Sequence, residues 1–167
     1  MTFYILASPI GNLKDISINF LETVSKINYL ATEDTRKTAK LLQLLQQNHP
    51  NYVLWPKHLL RSDKHTEHQV SEQILNLLKN ESVGLLTDAG MPAVSDPGAF
   101  LIKTVKDEGF AIEILPGASA LTAAMSLCGY EAEFTWFVGF WPKKSQNLIK
   151  LVDKIFQTNH CRMFSNP

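Results

Sequence analysis

The sequence predicts an α/β protein: an N-terminal domain with a five-stranded, mainly parallel sheet and helices on both faces, followed by the start of a second α/β domain. Three observations predict it. Short apolar runs alternate with amphipathic stretches five times before Gly117, the pattern of successive βαβ units. Unusual residues (Gly, Pro and strand-end carboxylates) follow the apolar runs, whereas the reverse connections carry little more than Asn28, Asn80-Glu81 and Gly109. Right-handed crossovers gather all strand-to-helix loops on one rim, the usual ligand edge of an open α/β sheet. After Gly117 the texture changes to a small-residue helix and two strand-like runs, too few to close a sheet covered on both faces. Domains are therefore expected at 1–117 and 118–167.

Taken in order, Phe3–Ala7 is the first strand and runs into Ser8-Pro9-Ile10-Gly11-Asn12. Asp15 or Ser17 caps a short helix with Phe20, Leu21 and Val24 inward. Tyr29–Thr32 is a second strand, with Glu33-Asp34-Thr35-Arg36 directly after it. Thr35 is expected to cap a helix to about Gln47 whose buried face carries Leu41, Leu44 and Leu45. Tyr52–Trp55 reads as a third strand stopped by Pro56, and Lys57–His65 as a polar rim loop. Val70, Ile74, Leu77 and Leu78 recur at helical spacing within Thr66–Lys79. Val83–Leu86 is a short, fully buried strand, and Asp88–Gly98 then holds two glycines, two prolines and two aspartates. Asp96 as cap and Pro97 at the first helical position are expected to open the next helix, with Leu101, Ile102 and Val105 facing the sheet and Gly109 ending it. Phe110–Leu115 is a fifth strand, closed by Pro116-Gly117. Beyond it come a helix over Ala118–Cys128, a strand over Phe134–Phe140, a helix over Ser145–Phe156 and a strand from Cys161 to Phe164.

Composition narrows the function classes. Of 167 residues 45% are hydrophobic, a globular proportion, and 16 basic side chains balance 16 acidic ones, so no global pull toward nucleic acid or anionic membrane follows. No apolar run approaches the ~20 residues that span a bilayer. The N-terminal segment lacks the basic start and longer apolar core of a signal peptide. Cys128 and Cys161 have neither disulfide nor zinc spacing, so a cytoplasmic setting with reduced thiols and no metal is expected. Gly-x-Gly-x-x-Gly, the phosphate loop, His-Glu-x-x-His and Cys-x-x-Cys do not occur. Ser8, Ser95 and Ser119 have no nucleophile-elbow context. What remains is a rim of main-chain polar groups shaped by Gly and Pro, with carboxylates at strand ends.

Six segments then occur in a telling order: SPIGN-LKDIS, ATEDTRKTAKLL, KHTE, TDAGMPAVSDPG, LPGASAL and FVGFWPKK. Together they resemble the tetrapyrrole methylase superfamily and, within it, the ribosomal RNA small subunit methyltransferase I family, over nearly the whole chain. The resemblance implies an S-adenosylmethionine-dependent methyltransferase that acts on the ribose 2′-hydroxyl of a cytidine in small-subunit ribosomal RNA. It also implies a homodimer, with the cofactor in a cleft between two α/β domains. By motif match, the cofactor residues it implies are Pro9, then Gly90, Met91, Pro92, Val94 and Ser95 in the Gly/Pro loop, Ser119 and Ala120 after the Pro-Gly turn, and Phe164, Ser165 and Asn166 at a strand end.

A ribose hydroxyl is a poor nucleophile, so a carboxylate near it is expected as general base. Glu33, Asp34 and Asp88 stand at strand ends. Asp34 and Asp88 read better as caps or as partners of Arg36, which leaves Glu33 as the candidate. Arg36, Lys37, Lys57, Arg61 and Lys64 are the expected RNA contacts. The resemblance also implies chain beyond the position of Pro167, an apolar residue where Arg162 stands, and an acidic one at Asn166. Residues 1–167 alone are therefore expected not to turn over. A folded, non-catalytic remnant and a methylase of a small tetrapyrrole-like molecule are the alternatives.

Overall fold

The computed structural model describes residues 1–63, 66–131, 133, 135–140, 142–156 and 161–165. The chain divides into two compact units, Met1–Ser119 and Ala120–Pro167. In the first, β1 (Thr2–Leu6), α1 (Ile18–Lys26), β2 (Tyr29–Thr32), α2 (Thr35–Asn48), β3 (His58–Arg61), α3 (Glu67–Leu77), β4 (Val83–Leu86), α4 (Ala99–Asp107) and β5 (Ala111–Leu115) alternate. The strands form one sheet in the order β3-β2-β4-β1-β5, with every pairing parallel. Its register sets Thr32, Leu86, Leu6 and Leu115 level with one another, so the loops after all four strands leave from one edge.

Side chains that alternate along each strand build a core on each face. Leu6, Leu30, Leu86 and Leu115 pack with Phe20, Leu21 and Val24 of α1 and Leu42 and Leu45 of α2. Phe3, Ile5, Ala31, Val83 and Leu85 pack with Val70 and Ile74 of α3 and Leu101 and Val105 of α4. Burial on both faces is why the central strands read as unbroken apolar runs. It is also why β4 carries Gly84: a Cβ there would stand 2.6 Å from Leu30, 2.7 Å from Leu6 and 2.9 Å from Ile27.

Local signals set most helix starts. Ser17 Oγ accepts the Phe20 N–H at 3.0 Å and opens α1. Asp34, not Thr35, caps α2: its Oδ1 accepts the Arg36 N–H at 2.9 Å. The buried face of α2 is Thr38, Leu42 and Leu45, with Leu44 exposed, so the stripe is rotated from the one expected. Asp96 and Pro97 do not open α4. The cap position is Gly98, at φ 122°, which has no side chain to bond the helix start. The acceptor comes from α3 instead, where the buried Glu67 carboxylate takes the Leu101 N–H at 3.0 Å. A carboxylate there also meets the positive end of the helix dipole.

The third strand is not Tyr52–Trp55. The Val53 and Leu54 N–H groups bond Ser25 Oγ and Gln46 Oε1, at 3.1 and 2.7 Å, and so are spent on side chains of α1 and α2. Pairing with β2 begins after Pro56, at His58, whose ring stacks on Tyr29 with centroids 5.0 Å apart. As the edge strand, β3 is only half covered, and a polar His-Leu-Leu-Arg segment fills it.

In the second unit, α5 (Ala120–Cys128) precedes β6 (Thr135–Phe140), α6 (Ser145–Phe156) and β7 (Cys161–Ser165). The two strands pair in parallel, with a register shift between Phe137 and Phe140, where Gly139 has φ 68°. His65, Phe134 and Trp141 lie outside the described residues.

Three outcomes follow from these contacts. Gly84→Ala overpacks the α1 face and is expected to lower unfolding free energy by about 1–3 kcal/mol in a denaturant titration. Glu67→Ala strands the Leu101 N–H and is expected to cost about 2 kcal/mol, whereas Glu67→Gln keeps an acceptor and most of the stability. The Arg36 side chain at Asp34 holds that carboxyl down to about 2 from an ordinary 3.8. A depressed carboxyl stabilises the fold above its unfolded value and loses that contribution as pH falls through the native one. The α2 cap is therefore intact above about pH 4 and lost near pH 2. In Arg36→Ala the Asp34 carboxyl resonance should move back up; an unchanged titration would show that Arg36 is not the cause.

Candidate active site

The rim is organised by the strand order. The crossovers from β1 and β4, which are neighbours, leave to opposite faces, α1 to one and α4 to the other. That is the switch point at which an open α/β sheet leaves a crevice. Two loops are clasped across it. Ser8 N–H donates to Gly90 C=O at 2.8 Å, Gly90 N–H donates back to Ser8 C=O at 3.2 Å, and Ser8 Oγ donates to Thr87 C=O. Gly90 takes φ 76° to make this turn, and Ala93 and Ser95 follow at φ 65° and 67°, a region that side chains disfavour. Ala93 N–H to Pro97 C=O, at 3.1 Å, and Val94 N–H to Met91 C=O, at 3.3 Å, close the loop on itself.

Several expected cofactor residues meet here. Pro9 is buried beside the clasp, and a Cβ at Gly90 would stand 3.6 Å from Ile10 and 4.0 Å from the Ala118 carbonyl, so the loops after β1, β4 and β5 share the rim. Pro92 is buried, Met91 packs against the α3–α4 core, and Val94 and Ser95 are exposed. Ser119 ends the first unit and Ala120 opens α5 of the second. Phe164 and Ser165 lie in β7, and Asn166 is outside the described residues.

Two pockets adjoin the clasp on the β2 side. The smaller, about 220 Å³, has apolar walls from Pro9, Leu13 and Leu41 and polar ones from Thr38, Thr87, Lys37 and Asp88. The larger, about 460 Å³, is lined by Glu33, Asp34, Thr35, Arg36, Lys37, Arg61, Asp63 and Asp88. Glu33 thus stands in a pocket, half-buried, one residue past β2. The cations of this pocket are held by carboxylates: Arg36 by Asp34 at 3.1 Å, Lys37 by Asp88 at 2.6 Å and Arg61 by Asp63 at 2.7 Å. Those partners push the Arg36 and Lys37 values up.

Lys57 is a correction. It precedes β3, so it stands at the opposite edge of the sheet, and its Nζ donates to the Ile27 carbonyl at 2.7 Å. Burial pushes its pKa down. Its expected place on the rim depended on the misplaced third strand. Lys64 lies outside the described residues. Sequence reasoning passed over Ser62 and Thr87, whose hydroxyls are buried at strand ends without a hydrogen-bond partner among the described residues, as is Asp88 Oδ1. Polar residues straight after a buried apolar run were the available signal.

No described helix is long and apolar enough to cross a membrane. Among solved structures, the fold is similar to diphthine synthase, with TM-score 0.63 and 19% identity over 93% of this chain and 61% of that one. It is also similar to uroporphyrin III C-methyl transferase from Thermus thermophilus, with TM-score 0.56 and 14% identity over 84% and 58%. In sequence, it is 40% identical over 154 residues to the ribosomal RNA small subunit methyltransferase I of Neisseria meningitidis serogroup B, covering 92% of this chain and 50% of that protein. The protein of the same name from Thermotoga maritima is 37% identical over 153 residues, 90% of this chain and 65% of that one. The chain thus spans roughly half to two thirds of the length of these two relatives. The profile of the tetrapyrrole (corrin/porphyrin) methylases matches residues 2–159, nearly the whole sequence, and the chain belongs to that family.

Proposed function

We propose that this chain carries the N-terminal half of the active site of an S-adenosylmethionine-dependent methyltransferase. Its substrate in this reading is the ribose 2′-hydroxyl of a cytidine in small-subunit ribosomal RNA, and it works as a cytoplasmic homodimer. The observation that carries the reading is the 40% identity, over 92% of the chain, to a protein named for ribosomal RNA methylation. The rim supports it. A loop with two non-glycine residues at positive φ, clasped to the neighbouring strand end, is an over-determined conformation of the kind that binding sites retain. The exposed Val94 and Ser95 give this loop both apolar and polar surface for a ligand.

In this reading Pro9, Gly90, Met91, Pro92, Val94, Ser95 and Ser119 would hold S-adenosylmethionine on the first unit. When bound, that cofactor supplies an activated methyl group on a sulfonium. The chain supplies the rest: orientation of the hydroxyl, exclusion of water, and acceptance of its proton at the Glu33 carboxylate. Arg36, Lys37 and Arg61 meet the RNA from within their ion pairs with Asp34, Asp88 and Asp63, and so face its sugars and base edges.

The full-length protein should transfer labelled methyl from S-adenosylmethionine to small ribosomal subunits, and Glu33→Gln should reduce kcat by about 10²-fold or more. Methylation of a porphyrin instead, or transfer by neither route, overturns the reading. RNA affinity should fall with salt. Arg61→Ala should weaken it by up to about fivefold, the scale of an exposed ion pair. Asp63→Ala, which frees Arg61, should strengthen it, and Lys57→Ala should leave it unchanged.

A further inference from the structure

Helix α4 begins where its own loop cannot cap it. A capping side chain ordinarily bonds the N–H of the second or third helical residue, here Phe100 or Leu101. The cap position is Gly98, at φ 122°, and a Cβ there would stand 2.9 Å from Leu85, so neither conformation nor space admits a side chain. The Glu67 carboxylate takes the Leu101 N–H instead, at 3.0 Å, from the neighbouring helix and in a buried setting. Glu67 is itself held. Its N–H and that of Thr66 donate to the Asp63 C=O at 2.9 and 3.1 Å, and the adjacent His68 and Phe100 bring their ring centroids to 3.8 Å.

The entry of α4 touches the Gly/Pro loop directly. The same Cβ at Gly98 would stand 3.6 Å from Pro92 and 3.7 Å from the Ala93 nitrogen, and the Pro97 C=O accepts the Ala93 N–H at 3.1 Å. Ala93 and Ser95 are held at φ 65° and 67°, strain that persists only where the surroundings over-determine it. Val94 and Ser95 are exposed on this stretch. A displacement of the α4 entry therefore reaches, through Pro97 and Gly98, residues expected to meet the cofactor.

We propose that Glu67 is a positioning residue for the methyl donor: by bonding the Leu101 N–H it fixes the entry of α4 and, through it, the conformation of residues 92–95 that receives S-adenosylmethionine. Binding that requires the fixed loop must in turn strengthen the bond that fixes it. The inference rests on the methyl-donor reading of this loop and adds to it a residue from another helix.

The test is the affinity of the full-length protein for S-adenosylmethionine, measured by calorimetry, with steady-state kinetics alongside. Glu67→Ala should weaken cofactor binding about tenfold and raise its KM to match, while kcat at saturating cofactor stays within about twofold. Glu67→Gln, which keeps an acceptor, should hold affinity within about twofold of wild type. Ser17→Ala removes the cap of α1 in the same manner, Ser17 Oγ to Phe20 N–H at 3.0 Å, and should lower stability with cofactor affinity unchanged. In the wild-type protein, cofactor binding should slow hydrogen exchange at the Leu101 amide more than at the Phe20 amide, a readout that stands even if Glu67→Ala fails to fold. Wild-type affinity in a folded Glu67→Ala, equal losses in Glu67→Ala and Ser17→Ala, or Leu101 exchange that slows no more than that of Phe20 overturns the positioning role and leaves the methyl-donor reading standing. Absence of cofactor binding by the wild-type protein overturns both.

Discussion

Ser8 and Gly90 hold each other by two backbone hydrogen bonds, at 2.8 and 3.2 Å, and the shape of the whole rim depends on that clasp. Parallel strands end with free main-chain groups, and β1 and β4 end side by side, with connections leaving to opposite faces. Nothing in the sheet ladder fixes what comes next. The clasp extends β1–β4 pairing by one irregular step and carries Pro9 and the Gly90 turn to the same place. A side chain at Gly90 would find space, with its nearest neighbour at 3.6 Å, so it is the positive φ and not crowding that calls for glycine.

The far end of the same loop is fixed by different physics. Residues 91–98 fold back through Ala93–Pro97 and Val94–Met91 bonds and enter α4 through Gly98, which has no capping side chain. Glu67, from the first turn of α3, supplies the missing acceptor. The loop is therefore anchored to β1 at one end and to α3 at the other. Backbone strain at Ala93 and Ser95 persists only where the surroundings over-determine it, and these two anchors are the surroundings. Packing of α3 against α4 thus reaches the rim through one carboxylate.

What the sequence disclosed follows the range of the interactions concerned. Central strands buried on both faces are apolar runs, so β1, β2 and β4 were legible, and with them the rim and its Gly/Pro loop; β5, at the far edge and mostly exposed, was legible from its Ile112, Ile114 and Leu115. Edge strand β3 was not, because half-exposed pairing tolerates His58 and Arg61, while the more apolar Tyr52–Trp55 buries Leu54 without joining the sheet. The cap of α4 lies 34 residues upstream and the partner of Lys37 lies 51 residues downstream. Local patterns suggested Asp96 for the one, and for Asp88 a cap or Arg36 as its partner. Of the candidate site, the positions were mostly readable and the pairings were not.

The pairings change what the basic residues can do. The larger pocket sets four carboxylates against three cations, and each cation has a carboxylate within 3.1 Å. A phosphate entering it must displace a carboxylate and then lie near the displaced charge, so the pocket is a poor resting place for an RNA backbone. Sugars and base edges, neutral and rich in donors, suit such a lining far better. Backbone contacts position nucleic acid and base contacts specify it. In the proposed reading the first unit would meet the nucleoside, and phosphate affinity would draw on other cations. Lys143 and Lys144, just before α6 in the second unit, carry the right charge for that task. The even charge balance of the chain is then compatible with an RNA substrate, because attraction to the backbone and recognition of the nucleoside are assigned to different residues.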